Sequence, residues 1–136
     1  EDEIISLINS ASSSIDVEVY TFSNRNLANA LIDAAERGVT VRVILEGRLE
    51  NPKSNLNTAA YLSANRVSVR FASQKYTLTH SKLMVIDGKK ALVGSINFSN
   101  NAVTKNREAA AILFGPVVSQ YSQIFEKDWT AALGTD

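Results

Sequence analysis

Along the first half of this chain, segments whose apolar residues are spaced as in a helix alternate with segments whose apolar residues are spaced as in a strand. This alternation is the feature that most limits the fold. Ile15, Val17 and Val19 alternate with polar residues, as in a half-buried strand, and helical spacing precedes and follows them. The pattern predicts helices over 4–11, 27–35 and 56–60, and strands over 15–19, 39–45 and 67–71. Segment 47–54, which is polar and contains proline, is predicted to be a loop.

The second half begins with a predicted hairpin. Its arms cover 82–86 and 90–93, and Asp87-Gly88 is a turn signal at the bend. A strand over 107–113 and a final helix opened by Pro116 follow. Strands that alternate with helices early and pair as a hairpin later indicate an α/β fold, with a mixed β-sheet covered by helices on both faces. A length of 136 residues with 45% hydrophobic content predicts one domain, residues 1–136.

Near the hairpin, the sequence spaces an imidazole and an ammonium group two residues apart. On an extended backbone His80 and Lys82 share one side, and Ser95 and Asn97 can do the same. An attacked phosphodiester gains charge on its equatorial oxygens, so catalysis needs fixed positive charge and hydrogen-bond donors there. A neutral imidazole can attack phosphorus when an acceptor holds the proton on its other nitrogen. Glu108, on the last predicted strand, is the candidate for that acceptor.

These residues resemble the signature of the phospholipase D superfamily, usually called the HKD motif. The resemblance rests on His80-x-Lys82-x4-Asp87, Gly94-Ser95-x-Asn97 and Asn106-Arg107-Glu108, and on segments 15–20, 37–44 and 61–65. It implies a phospholipase D-like fold and a covalent phosphohistidine at His80. It also implies that Lys82, Ser95 and Asn97 bind phosphate and that Glu108 orients His80. Asp87 is then a structural partner rather than a phosphate ligand.

The chain contains a single histidine, which affects the expected assembly. The departing alkoxide needs a proton, and in the family a second HKD histidine supplies it. The first sixty-odd residues contain no second His-x-Lys pattern, so we expect a homodimer in which two His80 side chains face each other across a two-fold axis. Because Glu1 is not an initiator methionine, the alternative is that these residues are half of a longer two-motif polypeptide.

Composition excludes several other kinds of site. Without cysteine there can be no disulfide or thiolate metal site, and the carboxylate and histidine spacings of metallonucleases are missing, so we expect neither cofactor nor metal. No apolar run approaches the length of a transmembrane segment. The cellular compartment is not indicated.

Charge distribution bears on the substrate. Lys and Arg balance Asp and Glu at 14 each, but segment 66–107 contains eight basic residues and one acid, which gives +7 there and −7 elsewhere. A positive field around the motif would attract a polyanion, unless several of the lysines point away along hairpin edges. The resemblance implies the same substrate class, since small single-motif members of the family are similar to nucleases more than to lipases. We therefore expect a metal-independent nuclease that acts on DNA or RNA. The alternatives are a phospholipase D or cardiolipin synthase-type half-domain that acts on phospholipid, and an inactive relative that only binds.

Overall fold

The computed structural model describes residues 1–134, which form five helices and seven strands. The helices are α1 (Asp2–Asn9), α2 (Arg25–Glu36), α3 (Lys53–Ser63), α4 (Asn100–Thr104) and α5 (Val117–Ala131). The strands are β1 (Ser14–Val19), β2 (Thr40–Leu45), β3 (Ser68–Phe71), β4 (Leu83–Ile86), β5 (Lys90–Gly94), β6 (Ala110–Phe114) and β7 (Leu133–Gly134). The sequence predicted the order of the longer elements, whereas α4 and β7 were not anticipated.

All seven strands join one sheet in the order β6-β5-β4-β1-β2-β3-β7. Strands β1, β2 and β3 are parallel, because α2 and α3 carry the chain back between them. Strand β4 lies antiparallel beside β1 and forms a hairpin with β5, and β6 continues the antiparallel half. The predicted mixed sheet is therefore confirmed.

Helices cover both faces of the sheet, as predicted. On one face, side chains of α1, α2 and α3 pack against β1 and β2 in the main core, in which Ile15 and Leu31 are fully buried. On the opposite face, Phe125 of α5 packs against Ile44, and Val118 packs against Val85. The apolar stripe of α5 therefore closes the second face.

Strand β1 differs from the half-buried strand that its sequence predicted. Its polar residues Asp16 and Glu18 face α5, and they are 8% and 0% exposed. Arg42 on β2 pairs with Asp16 at 2.8 Å and also with Glu126 of α5, so this ion pair network joins the helix to the sheet. Burial raises the pKa of Asp16, and Arg42 opposes that effect. A central strand under two layers of helices is buried on both faces, whatever its polar pattern.

The topology brings the functional segments to one end of the sheet. The carboxyl ends of the parallel strands β1, β2 and β3 lie at this end. Because β4, β5 and β6 are antiparallel in succession, the start of β4, the end of β5 and the start of β6 lie there too. We call it the site end, and it is where α/β sheets usually bind their ligands.

Candidate active site

His80 and Lys82 lie at the site end, in the extended segment immediately before β4. The Lys82 Nζ is 2.7 Å from His80 Nδ1 and 3.1 Å from Nε2, so the two side chains share one side, as the spacing predicted. The hairpin arm was predicted to begin at Lys82, and β4 begins one residue later, at Leu83. His80 is exposed, and its ring lies 4.6 Å from the ring of Tyr20.

Lys82 is a partly dehydrated cation within this site. Burial lowers its pKa, and the negative charge of Glu108 opposes that effect. Its Nζ also lies 5.6 Å from the centre of the Tyr20 ring, at cation-π distance. A partly buried ammonium group attracts an anion more strongly than a fully exposed one.

Ser95 and Glu108 are brought together beside this pair. The Ser95 hydroxyl donates to Glu108 Oε1 at 2.6 Å and accepts from the amide of Ala109 at 3.2 Å. The amide of Ser95 also donates to the carbonyl oxygen of Ala109 at 2.9 Å, and β6 begins one residue later, at Ala110, rather than at the predicted Arg107. Among the described residues, Glu108 hydrogen-bonds to Ser95 and not to His80. Its role in orienting His80 stays a prediction.

Asn97 is fixed against the end of β1. Its Oδ1 accepts from the amide of Thr21 at 3.2 Å, and the amides of Ser23 and Asn24 donate to the carbonyl oxygen of Phe98. With the oxygen engaged, the side-chain amide nitrogen of Asn97 is the group that can donate to a ligand.

Asp87 lies at the other end of β4 from His80, at the predicted hairpin bend. Both Asp87 and Gly88 have positive φ angles, of 54° and 65°, as the inner residues of a tight hairpin turn require. The carboxylate accepts hydrogen bonds from three backbone amides, those of residues 12 to 14. Burial alone would raise the pKa of Asp87, but these amides outweigh it and hold the pKa well below its usual range.

A layer of buried polar residues beneath the site was missed in the sequence. Glu46, 1% exposed, accepts from the amide of Thr79 at 2.6 Å, one residue before His80. Asn55 is fully buried and donates to the carbonyl oxygens of Tyr20 and Glu46. A carboxylate directly after the apolar run of β2 was the available signal for Glu46, since such positions lie at the ligand-binding edge of a sheet.

Two further features bear on the type of site. Within residues 1–134, no group of three or more His, Asp or Glu side chains converges in a way that could hold a metal ion. None of the five described helices is long and apolar enough to cross a bilayer.

Comparison with known proteins assigns the family. The family model described as "Cardiolipin synthase, PLD-like domain" matches residues 4–129. The mitochondrial cardiolipin hydrolase of Danio rerio is 31% identical over 127 residues, which cover 90% of this chain and 54% of that protein. The chain thus spans about half the length of the curated relatives that it matches.

Two solved structures share the fold. Nuc from Salmonella typhimurium, described as a phospholipase D family member, superposes with a TM-score of 0.91 at 24% identity, over 98% of this chain and 88% of that one. NucT from Helicobacter pylori gives a TM-score of 0.86 at 26% identity, over 98% and 89%. Because the family model matches most of its length, the chain belongs to the phospholipase D superfamily of phosphodiesterases.

Proposed function

We propose that this protein is a metal-independent nuclease that cleaves phosphodiester bonds through a covalent phosphohistidine on His80. The observation that carries this proposal is the contact between an exposed imidazole and the Lys82 ammonium group, 2.7 Å apart, at the end of the sheet where Ser95 and Asn97 also lie. Such a site pairs a nucleophile with a fixed cation for the phosphate oxygens.

The reaction has two displacements at phosphorus. In the first, an unprotonated ring nitrogen of His80 forms a P–N bond while the P–O bond to the leaving alkoxide breaks. In the second, water forms a new P–O bond and the P–N bond breaks, which restores His80. The incoming phosphodiester draws the Lys82 ammonium group away from the imidazole, because an anion is the stronger acceptor, and this frees the ring nitrogen for attack.

The proton transfers need a second titratable group. We assign them to the partner's His80 in a homodimer, which protonates the leaving alkoxide and later accepts a proton from the attacking water. These 136 residues contain one histidine, and a second copy of the chain would supply another imidazole. A homogeneous protein that is active and strictly monomeric in sedimentation would contradict this assignment.

Three side chains are assigned to the phosphate. Lys82 supplies charge, and the Asn97 amide nitrogen and the Ser95 hydroxyl supply hydrogen bonds to the equatorial oxygens. When the Ser95 hydroxyl turns to a phosphate, Glu108 is released from its 2.6 Å bond and becomes available to hold the second nitrogen of His80. This is how the predicted role of Glu108 fits the observed contact.

Nucleic acid is favoured as the substrate by cations at the site end. Lys82 lies in the site, and Arg48 and Lys75 lie on loops that follow β2 and β3. The predicted positive segment is not concentrated there as a whole, however. Lys89 is at the far end of β4, and Arg70 is engaged with the carbonyl oxygen and ring of Trp129. A field from the nearer cations would make binding salt-dependent.

Phospholipid is the second candidate, for one structural reason. Tyr76 and Leu78, which precede His80, are 52% and 40% exposed and could contact a bilayer surface. The curated relatives named as cardiolipin hydrolases point to the same substrate class.

The test compares substrates and variants in excess EDTA. Wild-type protein should cleave DNA or RNA, and His80→Ala should lose at least about 1000-fold in kcat, because the nucleophile is absent. Lys82→Ala should also be severely impaired, whereas Lys89→Ala, the same change at the far end of β4, should retain activity.

Other outcomes separate the alternatives. Full activity of His80→Ala would refute the nucleophile assignment, and loss of cleavage in EDTA would refute metal independence. Hydrolysis of cardiolipin vesicles without nuclease activity would favour phospholipid as the substrate. Saturable binding of nucleic acid without turnover would favour an inactive binding relative.

A further inference from the structure

The carboxylate of Glu46 joins the two loops that border the active site. Glu46 follows β2 and is 1% exposed. Its Oε1 accepts from the amide of Arg48 at 2.9 Å, and its Oε2 accepts from the amide of Thr79 at 2.6 Å. The first amide belongs to the loop after β2, and the second belongs to the loop that leads into β4. One buried carboxylate therefore satisfies a backbone donor from each loop.

The geometry points to Glu46 as a positioning residue, whose carboxylate fixes the backbone at Thr79 and so sets the place of the adjacent His80 relative to Lys82. This inference rests on the proposed function, since it concerns the same nucleophile. Glu46 does not itself reach the reacting atoms; it acts through the main chain.

Glu46 is well suited to this role because its own backbone is held. The side chain of Asn55, fully buried on α3, donates to the carbonyl oxygen of Glu46 at 3.0 Å and to that of Tyr20 at 2.9 Å. Its Oδ1 accepts from the amide of Phe22 at 2.9 Å. The ends of β1 and β2 are thereby tied to α3, and the Glu46 side chain extends from a fixed base.

The segment that Glu46 holds has little other support. Residues 74 to 78 are exposed, and no strand begins until Leu83. Arg48 adds a second tie, since its guanidinium donates to the carbonyl oxygen of Tyr76 and lies 3.6 Å from Glu46 Oε1. Misplacement of a catalytic group by about 1 Å can cost on the order of 100-fold in rate, so the Thr79 anchor bears directly on turnover.

The substitution Glu46→Gln tests the inference with little change in volume. Glutamine has one acceptor oxygen, and its NH2 group would face the other amide donor, so Gln cannot hold both loops. The matched control is Asp16→Asn, which removes a different buried carboxylate, on β1, and its ion pair with Arg42 of β2. For turnover of bis(4-nitrophenyl) phosphate, we expect Glu46→Gln to lower kcat about 10–100-fold with KM within about twofold, and Asp16→Asn to leave both nearly unchanged.

A second readout does not depend on activity. Because His80 is the only histidine, the imidazole signals in a proton–nitrogen NMR spectrum belong to it alone. These signals should shift in Glu46→Gln and stay in place in Asp16→Asn. If wild-type protein hydrolyses no phosphodiester, the proposed function fails, while the NMR comparison still decides the positioning role.

The inference would be overturned by a folded Glu46→Gln protein with unchanged kcat and unchanged His80 signals. If this variant does not fold, Glu46→Asp replaces it, because a shorter carboxylate cannot reach both amides, and the same shift is expected. Amide hydrogen exchange in wild-type protein needs no variant at all: Thr79 should exchange at least about 100-fold more slowly than Thr77, and equal rates would overturn the inference.

Discussion

The most unusual group in the fold is the Glu18 carboxyl, and it leads to a prediction about stability and pH. Glu18 is fully buried between β1 and α5, and neither carboxyl oxygen has a hydrogen bond of normal geometry within the described residues. The pKa of Glu18 is raised to about 8: burial is the largest cause, the neighbouring Asp128 of α5 acts in the same direction, and the hydroxyl of Ser81 opposes them. The folded protein therefore keeps a proton on Glu18 at neutral pH.

The size of the effect follows from linkage. Above its ordinary pKa of 4.5, Glu18 ionises in the unfolded chain but stays protonated in the folded one, so the unfolded state binds fewer protons. Stability then falls as pH rises, until the folded pKa is passed near 8. Each unit of pKa difference is worth about 1.4 kcal/mol, so between pH 4.5 and pH 7 this group alone should cost roughly 3 kcal/mol.

The variant Glu18→Gln should remove this dependence. The glutamine amide cannot ionise, and its NH2 group is a donor that can face the neighbouring Asp128. Urea unfolding, followed by the fluorescence of Trp129, should give similar free energies for the two proteins near pH 4.5 and a variant that is more stable by roughly 3 kcal/mol at pH 7. The control is Glu36→Gln, the same change at an exposed position. A difference between Glu18→Gln and wild type that does not vary with pH would refute the reasoning.

Two further predictions concern the turn and the strand pair near the site. Asp87→Asn should lower the free energy of unfolding by about 1–2 kcal/mol at pH 7, because the carboxylate accepts hydrogen bonds from three amides. This loss should shrink below pH 3.8, where the carboxylate of the unfolded chain becomes protonated. An unchanged urea midpoint at pH 7 would contradict the prediction. At Gly94, an added Cβ would press on the backbone of Ala109 and lie 2.7 Å from the Cβ of Ala110, so Gly94→Ala should cost about 1–3 kcal/mol in urea unfolding. The control is Gly47→Ala, whose Cβ would meet Phe71 at an ordinary 3.4 Å and which should lower the free energy of unfolding much less. Equal losses in the two variants would show that the close approach of β5 and β6 does not cause the effect of Gly94→Ala.

Part of the geometry of the candidate site could be predicted from local spacing. The two-residue interval between His80 and Lys82 predicted that they share a side, and the structure places Lys82 Nζ 2.7 Å from the ring. The Asp87-Gly88 turn was also predicted, since its conformation depends on the residues at the bend. The partner of Glu108 was not predicted, because Ser95 lies 13 positions away and its contact depends on how β5 and β6 end.

The sequence by itself determined the order of the longer helices and strands, the mixed sheet and the spacing of the motif residues, because periodicity and short intervals act through the local backbone. Only the tertiary structure decided what surrounds each polar group. The alternating pattern of β1 made Glu18 look solvent-facing, but α5, more than a hundred positions later, buries it and changes its protonation. Likewise, Glu46 and Thr79 are 33 positions apart, and only the folded sheet brings the carboxylate to that amide. The burial of a polar side chain and the identity of its partners depend on packing between distant segments. A local sequence pattern does not predict which of those segments come into contact.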